Sequence, residues 1–197
     1  FPATYGYGKD SKMEDLVDQM LAAMDQNLSS YYDTMEAKNI DVNEALTLAS
    51  LIEKEGATDK DRKDIASVFY NRLNQDMPLQ SNIAILYAQG QLGKKTTLKE
   101  DATIDTNIDS PYNIYKNTGL MPGPVDSPGL SAIEAAVNPS KTDYLYFVAN
   151  VETGEVYFAK TYEEHTKNVE EHVNSKLTEA AQTKEDVACH TFLVRKK

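Results

Sequence analysis

"DYLYFVAN" at residues 143–150 and "GEVYFAK" at residues 154–160 are two short runs rich in aromatic and β-branched side chains. Both alternate, and the "VETG" between them, residues 151–154, supplies a turn with a glycine. That combination predicts a β-hairpin. The other periodic stretches of the chain repeat at helical spacing. One hairpin among helices makes the fold class α+β, mainly helical with a small antiparallel sheet.

Outward from the hairpin, Thr161 and Glu164 form a capping box for a last helix that runs to about Leu177. Upstream, Ser127-Pro128 opens a helix with Pro at its first position, and Asn138-Pro139 closes it. Ile65, Val68, Phe69 and Leu73 share one face of a helix expected over about 60–75, ended by Met77-Pro78. "LQSNIAILYAQG", residues 79–90, reads as helical up to Gly90. Asp41 and Glu44 cap the helix that carries "LTLASLIEKEG", residues 46–56. A first helix spans 11 to about 28, with Ser11 and Glu14 as its capping box. Its stripe of Met13, Leu16, Val17, Met20, Leu21, Met24 and Leu28 reads as core. Residues 91–127 are irregular, and a stretch of that length is more often functional than idle. "SPYNIYKNTGLMPGPVDSPG", residues 110–129, alone holds four of the seven prolines. Residues 178–197 show no sustained period and read as a tail.

The 197 residues suffice for one domain with a real core, or a large domain with a small one. No run of about 18 apolar residues is present, so nothing in the sequence reads as a membrane-spanning helix. The net charge of -11 argues against nucleic acid, whose phosphates demand clustered Lys and Arg. A lone Cys189 excludes an internal disulfide and any cysteine cage. His165, His172 and His190 lack metal-ligand spacing, so neither a metal nor a cofactor is expected. No phosphate-cradling glycine loop and no GxSxG motif occurs.

The chemistry centres on "EKE" at the close of the second helix, Glu53-Lys54-Glu55. A helix C-terminus repels negative charge and favours a protonated carboxyl, and apolar surroundings act in the same direction. A Glu held protonated near neutral pH can give its proton to a leaving oxygen. On a helical wheel Glu55 falls near Leu48 and Leu51, and Glu53 falls near Leu46 and Ala49. Angle alone does not choose between them. The irregular stretch could furnish a groove, with Tyr112, Asn113 and Tyr115 offering flat faces and polar tips.

"TLASLIEKEG", "DRKDIASVFYNRL", "MPLQS", "SPYNIYKNTGLMPGPVDSPG", "AIEAAVNPSKTDYLYFVAN" and "GEVYFAKTYEEHTKNV" follow one another in this order. Together they resemble the MltG/YceG-like endolytic murein transglycosylases, over residues 1–177. The resemblance implies a catalytic domain with a lysozyme-like cleft, divided into a leading helical segment, 1–40, and a catalytic core, 41–177. It implies endolytic cleavage of the MurNAc–GlcNAc bond of nascent peptidoglycan strands, leaving 1,6-anhydro-MurNAc ends. It also assigns the general acid/base to the second Glu of "EKE", Glu55. By the same matching, Asn71, Arg72, Gln80, Ser81, Tyr112, Asn113 and Tyr115 are groove residues or stand just behind the groove. Arg72 could equally be a structural salt-bridge partner, and His165 reads as packing or a buried hydrogen bond. Two positions depart from the family pattern: Asn82-Ile83 stand where Asp, often with Pro, is usual, and Met121 replaces the first Pro of Pro-Pro-Gly.

The expected partners are peptidoglycan glycan strands, together with cell-wall synthesis or division proteins, and not nucleic acid. The resemblance further implies an extracytoplasmic catalytic domain, with membrane contact only through an N-terminal anchor absent from this chain. Two other readings are compatible with the residues: a hydrolytic muramidase, which requires a second carboxylate about 5 to 9 Å from Glu55, and a non-catalytic binding module of a cell-wall complex.

Overall fold

A computed structural model describes residues 1–56, 58–93, 104–150 and 153–174. Among them, α1 is Met13–Leu28, a 3-10 turn at Ser29–Tyr31 leads into α2, Tyr32–Lys38, and α3 is Val42–Glu55. Then come α4, Asp59–Leu73, α5, Asn82–Ala88, and α6, Leu130–Val137. Strands β1, Tyr146–Ala149, and β2, Val156–Ala159, precede α7, Tyr162–Val169, which runs on into a wider helical turn at Glu170–Asn174. The class is α+β, as the hairpin predicts.

The centre is α3. Ala45, Leu48, Ala49, Leu51 and Ile52 are all essentially inaccessible to solvent, as are Thr47 and Ser50. This helix packs on α6 and α4, and α4 also packs on α6. Alanines on both α3 (Ala45, Ala49) and α6 (Ala132, Ala135, Ala136) are fully buried, which lets these helix backbones run close together. Ile65, Ala66 and Phe69 of α4 join the same core, in agreement with the predicted face. Tyr70 of α4 donates its hydroxyl to Ala136 O at 2.8 Å. Burial, with the charge of Glu44 second, pushes that phenol up to about 12.

The hairpin is antiparallel, with Phe147 opposite Phe158 and Tyr146 opposite Ala159. Two strands alone are marginal in water, so this pair leans on helices. Phe147 meets Phe69 of α4 edge to face at 6.0 Å. Tyr146 stacks on His165 of α7 at 5.4 Å. His165 is buried, and its Nδ1 has no hydrogen-bond partner among the described residues. Loss of hydration first, and the positive charge of Arg72 second, hold its pKa below the usual histidine range. The packing reading of His165 therefore describes it better than the hydrogen-bond reading.

The capping boxes at Asp41/Glu44 and Thr161/Glu164 form as expected, each side chain accepting the other residue's N–H. Three local expectations need correction. At α1 the box belongs to Asp15, whose carboxylate accepts from Lys12 N at 3.4 Å, while Ser11 Oγ accepts from Gly8 N and so belongs to the preceding turn. At α6 the N-cap is Gly129, and Pro128 stands before it, because the Gly129 N–H is bound by a side chain from α3. The stretch preceding Met77-Pro78 is a turn, since α4 already ends at Leu73.

The apolar stripe of α1 is also not core. Met13 is 60% exposed, Leu21 64%, Val17 45% and Met20 42%. Only the C-terminal end of the helix, through Met24 and Leu28, joins the main cluster. Helical periodicity marks an apolar face but not what lies opposite it. Cys189, His190 and the 178–197 tail lie outside the described residues, as do parts of the 91–127 stretch and the "VETG" turn.

Candidate active site

The three charged residues that close α3 each have a different partner. Glu53 Oε2 accepts the backbone N–H of Gly129 at 3.0 Å, tying the end of α3 to the start of α6. Lys54 Nζ lies 2.6 Å from Asp126 in the loop that precedes α6. Glu55 Oε1 accepts from the Ser81 hydroxyl at 2.8 Å. Lys54 therefore turns to the loop rather than to its neighbouring carboxylates. Glu55 is half-buried at the end of a helix whose residues 47–52 are wholly buried. Behind it, Gly56 permits a close approach of α4: a Cβ there would lie 2.5 Å from Arg62 Cγ and 3.2 Å from its backbone.

Ser81 is the N-cap of α5 and is buried. Its Oγ accepts from Ile83 N at 3.2 Å while donating to Glu55, so both functions of the hydroxyl are used. Gln80, just before it, has φ of 57°, a left-handed backbone uncommon outside glycine. Its N–H donates to Ile114 O at 3.0 Å and its Oε1 accepts from Arg72 at 3.2 Å. The 112–115 segment therefore packs directly on the turn that leads to Ser81. Tyr115 strengthens that contact by donating its hydroxyl to Asn82 Oδ1 at 2.7 Å.

The predicted residues divide into two groups. Glu55, Gln80, Ser81 and Tyr115 are joined by this chain of contacts. Tyr112 lies on the same segment and packs against Tyr87 of α5 at 4.8 Å, and burial first, with Tyr87 second, raises its pKa. Gly123 sits near the Tyr112 hydroxyl, where a Cβ would be 3.7 Å away. The others are turned inward. Asn113 is 1% exposed, and its amide donates to Thr106 O and Ile108 O, so it braces the loop from behind and not from within a groove. Asn71 donates to Thr142 O and Tyr144 O, fixing α4 to the chain entering β1. Arg72 is buried and makes no salt bridge among the described residues; its acceptors are carbonyls and one amide oxygen.

Sequence reading passed over Ser50 and the part played by Asn82, and it weighed Glu53 only as the alternative to Glu55, without its partner Gly129. Ser50 Oγ accepts from Val125 N at 3.0 Å and pins the proline-rich loop onto α3. A serine inside an apolar helical run was the available signal, since a buried hydroxyl needs a partner. Nothing local marks Asn82, whose partner lies 33 residues away. Among the described residues no group of three or more His, Cys, Asp or Glu side chains is placed to hold a metal ion.

Residues 1–171 match the YceG-like family model. The chain is 67% identical over 177 residues to a protein of Streptococcus pneumoniae serotype 2 (strain D39) named endolytic murein transglycosylase. That match covers 90% of this chain and 32% of the relative. A Bacillus subtilis (strain 168) protein of the same name is 46% identical, over 89% of this chain and 48% of its own. The chain thus spans less than half the length of these curated relatives. A crystal structure of a yceG-like protein from Listeria monocytogenes is similar, with a TM-score of 0.77 and 50% identity, over 85% of this chain and 53% of that one. On these grounds the chain belongs to the YceG-like family.

Proposed function

We propose that this chain is the catalytic part of an endolytic peptidoglycan lytic transglycosylase, with Glu55 as its single general acid/base. The observation that carries the reading is the half-buried Glu55 carboxylate, held by the Ser81 hydroxyl at 2.8 Å beside the Gln80–Ile114 and Asn82–Tyr115 hydrogen bonds. Its support comes also from the relatives named endolytic murein transglycosylases, at 67% and 46% identity.

The substrate is a glycan strand cut between MurNAc and GlcNAc. Protonated Glu55 gives its hydrogen to the glycosidic oxygen as the bond from that oxygen to the muramic C1 breaks. The muramic 6-hydroxyl closes on the same C1, and its proton passes to the Glu55 carboxylate. Atoms balance without water, and the product carries a 1,6-anhydro ring. Ordinary glycosidases need two carboxylates because the nucleophile or its base must come from the protein. Here the substrate brings the nucleophile already tethered, with the rate advantage of intramolecular attack. Gln80, Tyr112 and Tyr115 would line the groove, with Asn71, Arg72 and Asn113 supporting it. The reading carries with it action outside the cytoplasmic membrane, membrane anchoring of the protein, and meeting points with cell-wall synthesis or division proteins. Among the described residues no helix is long and apolar enough to cross a membrane.

Product analysis tests it. Purified uncrosslinked glycan strands are incubated with the chain and with Glu55→Gln, and the ends are read by mass spectrometry. Anhydro ends with the wild-type chain and none with Glu55→Gln are expected. Ends heavier by one water indicate a muramidase instead. Strand binding without any cleavage indicates a binding module. Full activity in Glu55→Gln removes the mechanism.

A further inference from the structure

We propose that Arg72 is a positioning residue of this reaction, setting the place of the Ser81 hydroxyl, and through it the Glu55 carboxyl, by clamping the turn at residues 78–80. The inference rests on the reading of Glu55 as the acid.

The guanidinium reaches from α4 into the gap between two segments. Its Nε donates to Leu145 O at 2.6 Å, just before β1. One terminal nitrogen faces Pro78 O at 2.9 Å, Leu79 O at 3.2 Å and Gln80 Oε1 at 3.2 Å. Its Cζ lies over the Tyr146 ring, 5.1 Å from the centroid. Arg72 is only 6% exposed. A buried cation with no carboxylate among its described neighbours is an expensive arrangement, and burial depresses its pKa. A salt bridge is thus not what it serves. Among the described residues, each of its hydrogen bonds goes to the chain immediately before Ser81 or to the chain entering the hairpin.

The clamped turn is the one that needs clamping. Gln80 holds a left-handed backbone, a conformation that costs free energy for a residue with a Cβ and persists only when neighbours enforce it. Arg72 fixes its side chain and the two carbonyls before it; Ile114 O fixes its N–H. The next residue is Ser81. A slip of the turn by an ångström would take the hydroxyl out of hydrogen-bond range of Glu55, since such bonds fade beyond about 3.2 Å. A lysine could not replace the fork, because one ammonium nitrogen cannot reach Leu145 O on one side and the 78–80 turn on the other.

Two measurements on the intact chain decide the matter. The first is turnover of uncrosslinked glycan by Arg72→Lys, Ser81→Ala and the double variant. Each single change should lower kcat by about 10-fold to 100-fold, the range for losing a hydrogen bond to a charged group. The double variant should be no worse than the poorer single one within about two-fold, because both remove the same contact. The second is a carboxyl carbon NMR titration of Glu55, assigned by its disappearance in Glu55→Gln. Loss of a donor to the carboxylate should move that titration to higher pH in Arg72→Lys and Ser81→Ala alike. If Arg72→Lys does not fold, Gln80→Val carries the test, since a β-branched residue resists the left-handed turn; it too should move the Glu55 signal upward. Additive losses, or a Glu55 titration unchanged by Arg72→Lys or Gln80→Val, would overturn the proposal. The titration needs no turnover, so it separates failure of the clamp from failure of Glu55 as the acid.

Discussion

Glu53 Oε2 and the backbone N–H of Gly129 form a 3.0 Å hydrogen bond that joins the C-terminal turn of α3 to the N-cap of α6. Two residues on, Glu55 turns to Ser81 instead. Neighbouring carboxylates on one helical turn thus have separate tasks. Glu53→Ala should lower stability by about 1 to 2 kcal/mol, because the start of α6 loses a charged acceptor. Glu53→Gln, which keeps an acceptor, should recover part of that. Glu55→Gln should change stability by less than about 0.5 kcal/mol yet abolish anhydro-end formation. Urea unfolding and product analysis on the same three variants check the crossing.

Gly56, the C-cap of α3, is where the chain beside Glu55 comes close to Arg62 of α4. A methyl group there would meet Arg62 Cγ at 2.5 Å, and Arg62 Cα and N at 3.2 Å, so α4 or the end of α3 must shift. Its φ of -102° is open to any residue, so the cost is crowding rather than backbone strain. Gly56→Ala should destabilise by about 1 to 3 kcal/mol. It should also lower activity beyond what stability explains, because the displaced residue adjoins Glu55. Thermal melts paired with glycan turnover at a temperature where the variant is fully folded would show both effects.

His165 gives the fold a definite pH dependence. Its folded pKa lies below the ordinary histidine value of 6.5, through burial first and Arg72 second. As pH falls through 6.5 the unfolded chain takes up a proton that the folded imidazole resists, so the unfolded state binds more protons. This contribution is full above 6.5 and is lost below it. Replacing the ring with Phe keeps the stack on Tyr146 and removes the titrating group. The expected result is a smaller drop in unfolding free energy between pH 7 and pH 5 in His165→Phe than in the wild type. An equal drop in both proteins would show that other groups set the acid limb.

The outward stripe of α1 should be dispensable for stability. Met13→Gln, Met20→Gln and Leu21→Gln should each lie within about 0.5 kcal/mol of the wild type, as expected for exposed positions. Leu28→Ala, at the buried end of the same helix, should cost about 2 to 5 kcal/mol. Denaturant titration of these four variants separates the two halves of the helix.

Much of the scaffold is local and was legible for that reason. Asp41/Glu44 and Thr161/Glu164 cap within one turn of their own helices, and the hairpin forms from the two alternating runs. The face of Ile65, Val68 and Phe69 is buried as its spacing requires. Where a start depended on a distant group, local reading failed: the N-cap of α6 sits at Gly129 because a residue 76 positions earlier accepts its N–H. The α1 stripe failed for the same kind of reason, since periodicity describes one surface of a helix and nothing about its neighbour.

What the amino-acid order determines by itself is therefore most of the helices, the hairpin and the presence of two carboxylates at the close of α3; α2, Tyr32–Lys38, was not read from it. Which of those carboxylates meets Ser81 and which meets Gly129, and whether Asn71, Arg72 and Asn113 face outward or inward, were decided only when the chain folded. The physical reason is range. Caps, turns and apolar periods act over a few residues, whereas the partner of a polar side chain in a helical domain is chosen by which distant segment packing brings within about 3 Å of it.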